Sequence, residues 1–396
     1  MRIWRILLAA IGGVLIVVGI IWRPAVAPAL TQLPTSLSQT VQLTGTYTGY
    51  VNQSTGAALA APQQIPVSVT RTVKAVPGDS TSSVLVVNDS SAVTIGPAKS
   101  ESVSQYTLDR TTSKSVASPH AYALSPANVV NRTGTYSLGT PPGADTSKSY
   151  PLYTDDIGRA APLSYAHSTT TVDGLSVQEW QQNVPPTPVS PAIVKAMKLA
   201  PSMPFAAFAA EAKAQGLNLA GAFTALMPSL TPAQRASVAS VAAAPIPLQY
   251  LYATQSKLLV EPSTGTTVDI ASGVQSYSVK PDLSHLAAVL TPILEAHASN
   301  PVAAKLIASA SKLTSVQAQP LYTINTRQTP ASVASLVSTT KNNASLLQLV
   351  QLWVPIALIV IGIILAGLSF LIRRRRPKTE DSAPSPGSAG TATSSV

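Results

Sequence analysis

Asp155 and Asp156, in "YTDDIGR", are the only adjacent acids between residues 24 and 350, so they are the first candidates for acid–base chemistry. Neighbouring side chains on an extended segment point to opposite faces, so the two would not converge as a catalytic dyad does. With Gly158 and Arg159 close by, the residues read as a turn carrying an Asp–Arg pair. A calcium loop would need more oxygen ligands at fixed spacing, and no Asp-x-Asp-x-Asp-Gly pattern occurs. His120, His167, His285 and His297 are scattered, with neither H-x-x-x-H nor H-E-x-x-H spacing, so no metal face is defined. The chain has no cysteine, which excludes disulfides, thiolate metal sites and cysteine nucleophiles. Serine is abundant, but no G-x-S-x-G elbow or phosphate-binding glycine loop accompanies it. The residues therefore predict no catalytic group, no metal and no cofactor: a protein that is not an enzyme.

The densest charge is Arg373, Arg374, Arg375 and Arg376, which could grip a nucleic acid or mark a membrane boundary. The net charge of +10 decides between these once it is divided. Residues 24–350 hold 18 Lys and Arg against 14 Asp and Glu, a net of only +4, with no basic stripe interleaved with aromatics. Nucleic acid is excluded as a partner. Most of the remaining positive charge flanks two apolar runs. The first, Ile6 to Trp22, has 17 uncharged residues between Arg2, Arg5 and Arg23, with Trp22 at an interfacial position. The second, Pro355 to Ile372, follows Trp353 and ends at the four arginines. Basic residues beside a span mark its cytoplasmic end, so the arginines read as a stop-transfer signal.

These elements predict a two-pass protein of the plasma membrane with both termini cytoplasmic. Residues 1–5 form a cytoplasmic N-terminus, 6–22 a first transmembrane helix, and 24–350 an extracytoplasmic domain. Residues 351–372 form a second transmembrane helix, and 373–396 a basic, Pro/Ser-rich disordered cytoplasmic tail. Only 11% of the chain is charged, against roughly 25% in an average soluble protein.

The extracytoplasmic segment reads as α+β, with a largely antiparallel sheet and helical insertions. "VQLTGTYTGYV", "IPVSVTRTVKAV" and "SSVLVVND" show strand alternation or β-branched runs. Asp173-Gly174 and Pro262 to Gly265 read as hairpin turns, and "SQYTLDRTTSKSV" as a further hairpin. Residues 190–243 are Ala-rich and punctuated by Pro201, Pro204, Pro228 and Pro232, which predicts a helical insertion. Residues 282–313 predict one or two helices after Asp282. Residues 329–346 predict a helix capped by Thr329 that continues into the second span, softened at Asn342-Asn343. Trp180, Tyr150, Tyr153, Tyr165, Tyr250, Tyr252 and Tyr322 fall on strands, as core residues or as the lining of a groove.

"YPLYTDDIGRAAPLSY", "VDGLSVQEWQQNVPPT", "LLVEPSTGTTVDIASG", "YTINTRQTPASVASLV" and "LWVPIALIVIGIILAGL" together resemble the ordered motifs of an actinobacterial membrane-protein family, the DUF3068 group, also labelled the porin PorA family. The resemblance covers nearly the whole chain and implies a two-span protein of the actinobacterial envelope. The expected strands are too few and irregular for a transmembrane barrel with aromatic girdles. The first functional expectation is a structural or interaction module whose partners are the membrane and an envelope lipid, glycan or protein. The alternative, on fold analogy with envelope lipoprotein carriers, is a lipid- or glycan-binding carrier with an apolar cavity beside a curved sheet; the third is an envelope hydrolase. If the first run is an anchor, N-terminal sequencing of the mature protein finds Met1 or a residue close to it. Pro28 at the N-terminus would instead identify a cleaved signal peptide, since Ala25-Val26-Ala27 fits such a site.

Overall fold

The computed structural model describes residues 2–22, 32–52, 58–214, 216–314 and 318–374. They divide into two compact units: α1 with the chain from Gln348 onward, and the intervening residues to Leu347.

The larger unit is an eleven-stranded, mostly antiparallel sheet curled into a half-barrel, with helices added. Its strands are β1 (Ser38–Val51), β2 (Ala58–Ala75), β3 (Val84–Ile95), β4 (Ala98–Asp109), β5 (Tyr150–Thr154), β6 (Arg159–Val172), β7 (Leu175–Pro188), β8 (Ser202–Met203), β9 (Ile246–Glu261), β10 (Thr266–Pro281) and β11 (Gln319–Gln328). Their order is β4-β3-β2-β1-β11-β10-β9-β7-β6-β5, with β8 pairing beside β9. Two meanders thus meet where β1 pairs with β11, for example Leu43 with Gln328 and Tyr47 with Ile324. The expected turns form. Asp173 and Gly174 both have positive φ, as the tight β6–β7 hairpin requires. The β9–β10 turn is knit by Glu261, whose carboxylate accepts from the backbone N–H and hydroxyl of both Ser263 and Thr264.

The Ala/Pro-rich insertion folds as α2 (Pro191–Ala196), α3 (Phe205–Ala214), α4 (Leu219–Leu226) and α5 (Pro232–Ala243). It joins α6 (Ser284–Ala296) and α7 (Pro301–Thr314) around a core of its own, with Phe205, Phe208, Phe223, Leu226, Leu290 and Leu306 buried. The 282–313 region is therefore two helices. Asp282 accepts from the Ser284 N–H at 3.0 Å, just ahead of the first of them. Helix α8 (Pro330–Gln348) lays Val333 and Val337 against Val177, Leu259 and Val268 of the sheet's outer face. It passes through Asn342-Asn343 without a break. The irregularity comes later, as a π-helical turn at Leu349–Trp353 before α9 (Val354–Arg374). Two asparagines cost a helix only about 1 kcal/mol relative to alanine, less than the packing of α8 on the sheet returns.

In the smaller unit α1 (Arg2–Ile21) and α9 pack antiparallel. A Cβ placed on Gly12 would lie 2.7 Å from the Gly362 carbonyl oxygen, and one on Gly362 equally close to that of Gly12. Only glycine permits this approach of backbones, the device by which small residues seat helices in lipid. Seven residues on, Gly19 meets Pro355 and Ile359, and the Trp22 indole donates to the Val350 carbonyl at 2.8 Å. Among the described residues, one helical run, Pro330–Ser369, is long and apolar enough to cross a membrane; the apolar stretch Ala10–Ile21 is shorter.

The sheet's tightest contact is at its centre. A Cβ on Gly45 would lie 1.8 Å from the Asn325 carbonyl oxygen and 2.8 Å from its carbon, backbone atoms that cannot swing aside. Gly45→Ala therefore destabilises the larger unit by about 2–3 kcal/mol, read as a lowered denaturant midpoint. An unchanged midpoint would mean that β1 and β11 are not in this register.

Candidate functional site

Strand alternation sends every second side chain to the concave face, and there the curl forms a partly open cavity of about 520 Å³. Gln39, Val41 and Leu43 of β1 face it, as do Ile324, Thr326 and Gln328 of β11. Ser256 and Leu258 come from β9, and Ile270 and Gln275 from β10. The size lies within the range of small-molecule sites, roughly 300–1,000 Å³. Among the described residues, Arg71 of β2 is the one charged residue in the lining. Two residues further along β10 and β11, and four along β1 and β9, the inward row turns aromatic. Tyr252 pairs with Tyr277 across β9 and β10, and Tyr277 with Tyr322 across β10 and β11. Tyr277 and Tyr322 stack at 4.9 Å, Tyr322 and Tyr47 at 5.4 Å, and Tyr252 meets Tyr277 edge-on at 5.2 Å. This row packs together on the same face, beyond the residues that line the cavity.

The remaining wall is not a strand. Residues 110–149 run between the sheet's outermost strands, β4 and β5, as turns and single bridges. The Val116 N–H donates to Thr107 of β4, Ser115 to Thr135, and Tyr136 to Pro151 of β5, so hydrogen bonds step across from one edge to the other. The strap also docks on the β9–β10 turn, where the Gly143 N–H donates to Pro262. Leu138, Gly139 and Thr140 of this strap line the cavity.

Arg132 pins the strap. Its side chain is 1% exposed, and its Nη1 donates to the Gln105 carbonyl of β4 at 3.1 Å. Nη2 donates to the Tyr122 carbonyl at 3.2 Å and to Asp155 Oδ1 at 2.7 Å, and Nε reaches the same oxygen. The Tyr106 and Tyr153 rings lie 4.5 and 5.2 Å from the guanidinium carbon. Asp155 also accepts from the Ser104 hydroxyl. Beside this cluster Arg71 makes a forked pair with Asp89, which accepts from Tyr106 too. The Asp89 charge holds the Arg71 guanidinium even more firmly protonated than usual. Burial, and then the nearby Asp155 and Asp89 charges, push the Tyr106 phenol well above its ordinary value.

Asp155 and Asp156 sit in a short 3-10 turn, Asp155–Ile157, closed by Gly158 at positive φ. As expected, they do not converge. The partner of Asp155 is Arg132, 23 residues upstream, rather than the neighbouring Arg159. Asp156 turns to the tyrosine row, where the Tyr277 hydroxyl donates to it. Burial raises the Asp156 carboxyl, against the lowering effect of that hydrogen bond. Burial and the Asp156 charge raise Tyr277 in turn.

Trp180 is fully buried beside Tyr150, Tyr165, Leu152 and Leu258, and Tyr252 is buried in the aromatic row. Tyr250 lines a separate open groove with Lys195 and Lys198. Among the described residues no three His, Asp or Glu side chains gather to hold a metal. Of the residues expected to set topology, Arg2 and Arg5 lie in α1, and Arg373 and Arg374 end α9. Trp22 closes the helix pair and Trp353 is 58% exposed. Arg375 and Arg376 lie outside the described residues.

The family model described as Porin PorA matches residues 5–371. The chain belongs to the Porin PorA family. Membership makes it a membrane or envelope protein. No curated protein matches the chain.

Asp156 supplies a test of this interior. Its native pKa is raised above the ordinary carboxylate value, about 3.9, so the folded state binds the proton more tightly than the unfolded one. This contribution to stability therefore falls as pH rises from about 4 through the raised value. Asp156→Asn removes it. In unfolding measurements the variant's stability relative to the parent improves with pH over that window; identical pH profiles would place the carboxyl in water.

Proposed function

We propose that this is a membrane-anchored envelope protein, not an enzyme, that holds an apolar lipid-like ligand in the concave face of its β domain. The observation that carries the reading is the 520 Å³ cavity, with Leu43, Val69, Leu138, Leu258 and Ile324 among its walls. A closed core would have favoured the structural module placed first by the sequence; the cavity moves the carrier ahead of it. In this reading α1 and α9 form a two-span hairpin, and the β domain faces outward in an actinobacterial envelope. The antiparallel, glycine-seated packing of the two helices supports the hairpin, and the arginines after α9 support cytoplasmic termini. The family's porin label does not require a pore through the sheet. Outward positions such as Glu179, Gln181 and Asn183 of β7 and Lys257 of β9 are polar, whereas a transmembrane barrel needs an apolar outer band.

Two measurements test the proposal. Because the chain lacks cysteine, Ser82→Cys, exposed between β2 and β3, is a unique label site. It reacts with an impermeant maleimide on cells whose outer layer is permeabilised, while Ser395→Cys reacts only after lysis; the reverse pattern overturns the topology. Organic extraction of the purified full chain recovers a lipid in about one-to-one ratio. Gln275→Trp, which fills the cavity from an exposed wall position, lowers that recovery several-fold. Equal recovery from both proteins would remove the cavity from the function.

A further inference from the structure

The cavity's size and charge go further than its existence, on the reading that it binds a lipid. A dry cavity of about 150 Å³ accommodates benzene, six carbon atoms. At the same filling, 520 Å³ accommodates roughly twenty non-hydrogen atoms, the length of one long alkyl chain and well short of two. Beyond the lining on the same face the tyrosine rings pack on one another, which leaves little room there for a second chain.

Charge narrows the class again. A carboxylate or phosphate brought into such a site needs a counter-charge, because an unpaired buried charge is far costlier than a buried dipole. Among the described residues Arg71 is the sole cation in the lining, and Asp89 already takes it through three contacts of 2.6–3.1 Å. Arg132, behind the wall, is matched by Asp155 at 2.7 Å. The other polar groups of the lining are amides and hydroxyls, among them Gln39, Gln182, Ser256 and Gln275. Thr140, on the strap, is 5% exposed, and its hydroxyl has no hydrogen-bond partner among the described residues. That group suits a hydroxyl or ester oxygen. We infer that the cavity is built for an uncharged amphiphile with a single alkyl chain, its polar end held by the amide and hydroxyl groups of the wall, and that it discriminates against anionic and two-chain lipids.

The test uses the delipidated full chain in amphipol at pH 8, where fatty acids are ionised, with radiolabelled probes in equilibrium binding. The probes are monooleoylglycerol, oleate, dioleoylglycerol and dioleoylphosphatidylglycerol. The expected result is one monooleoylglycerol per chain, bound roughly tenfold or more tighter than oleate, with neither two-chain lipid retained. Gln275→Trp and, from the opposite wall, Ser91→Phe each abolish that binding. Oleate binding as tightly as monooleoylglycerol, or either two-chain lipid binding as well, overturns the assigned class while the carrier reading stands. Binding of none of the four overturns both. Binding that survives both filling variants places the lipid elsewhere and overturns the inference.

Discussion

A curled sheet that stops short of closure leaves two edges with unpaired backbone groups, and here one buried guanidinium spans the gap. Arg132 donates to the backbone of β4, to the strap and to the carboxylate just beyond β5, between two tyrosine rings. Without it, among the described residues Asp155 would keep only the Ser104 hydroxyl as a side-chain donor, and breaking a buried ion pair from one side costs about 3–5 kcal/mol. Backbone hydrogen bonds to β4, β5 and the β9–β10 turn hold the rest of the strap. Forty residues without a regular element are unusual in a compact domain, and this segment is ordered by single bridges and by that cation.

The cavity is the consequence. A flat sheet of these strands would expose Val41, Leu43, Leu258 and Ile324 to water; curled, it turns them toward one another. The close approach at Gly45 permits the curl at the junction of the two meanders, and the tyrosine row packs on the same face beyond the cavity lining. What remains open lies between the mid-sheet residues and the strap. The matched pairs Arg71–Asp89 and Arg132–Asp155 leave this space lined by apolar groups, amides and hydroxyls. The same interactions that close the fold thus set the chemistry of what it can hold.

Much of the local structure was legible. Hairpin turns at Asp173-Gly174 and Pro262–Gly265, the proline-punctuated helices of 190–243 and the helix starting at Pro330 follow from turn and capping chemistry, which acts over a few residues. The antiparallel, curved character of the sheet followed from the succession of such hairpins. The strand order did not. Pairing β1 with β11 joins residues almost 300 apart, and nothing in either strand alone names its partner. "SQYTLDRTTSKSV" read as an ordinary hairpin; its second arm became the start of the strap, because its residues bridge β4 singly instead of forming a ladder. Arg132 carried no signal in "NRTGTY" beyond being a lone arginine, and proximity in sequence pointed Asp155 to Arg159. Gln275 and Arg71 looked like ordinary strand residues until the curl put them on one wall.

Hydrogen–deuterium exchange on Arg132→Met, compared with the parent chain, tests most directly whether this cation closes the fold around the cavity. The account predicts faster exchange confined to residues 110–149 and to the edge strands β4 and β5, with β9, β10 and β11 still protected. Unchanged protection of the strap, or equal loss throughout the sheet, would contradict it.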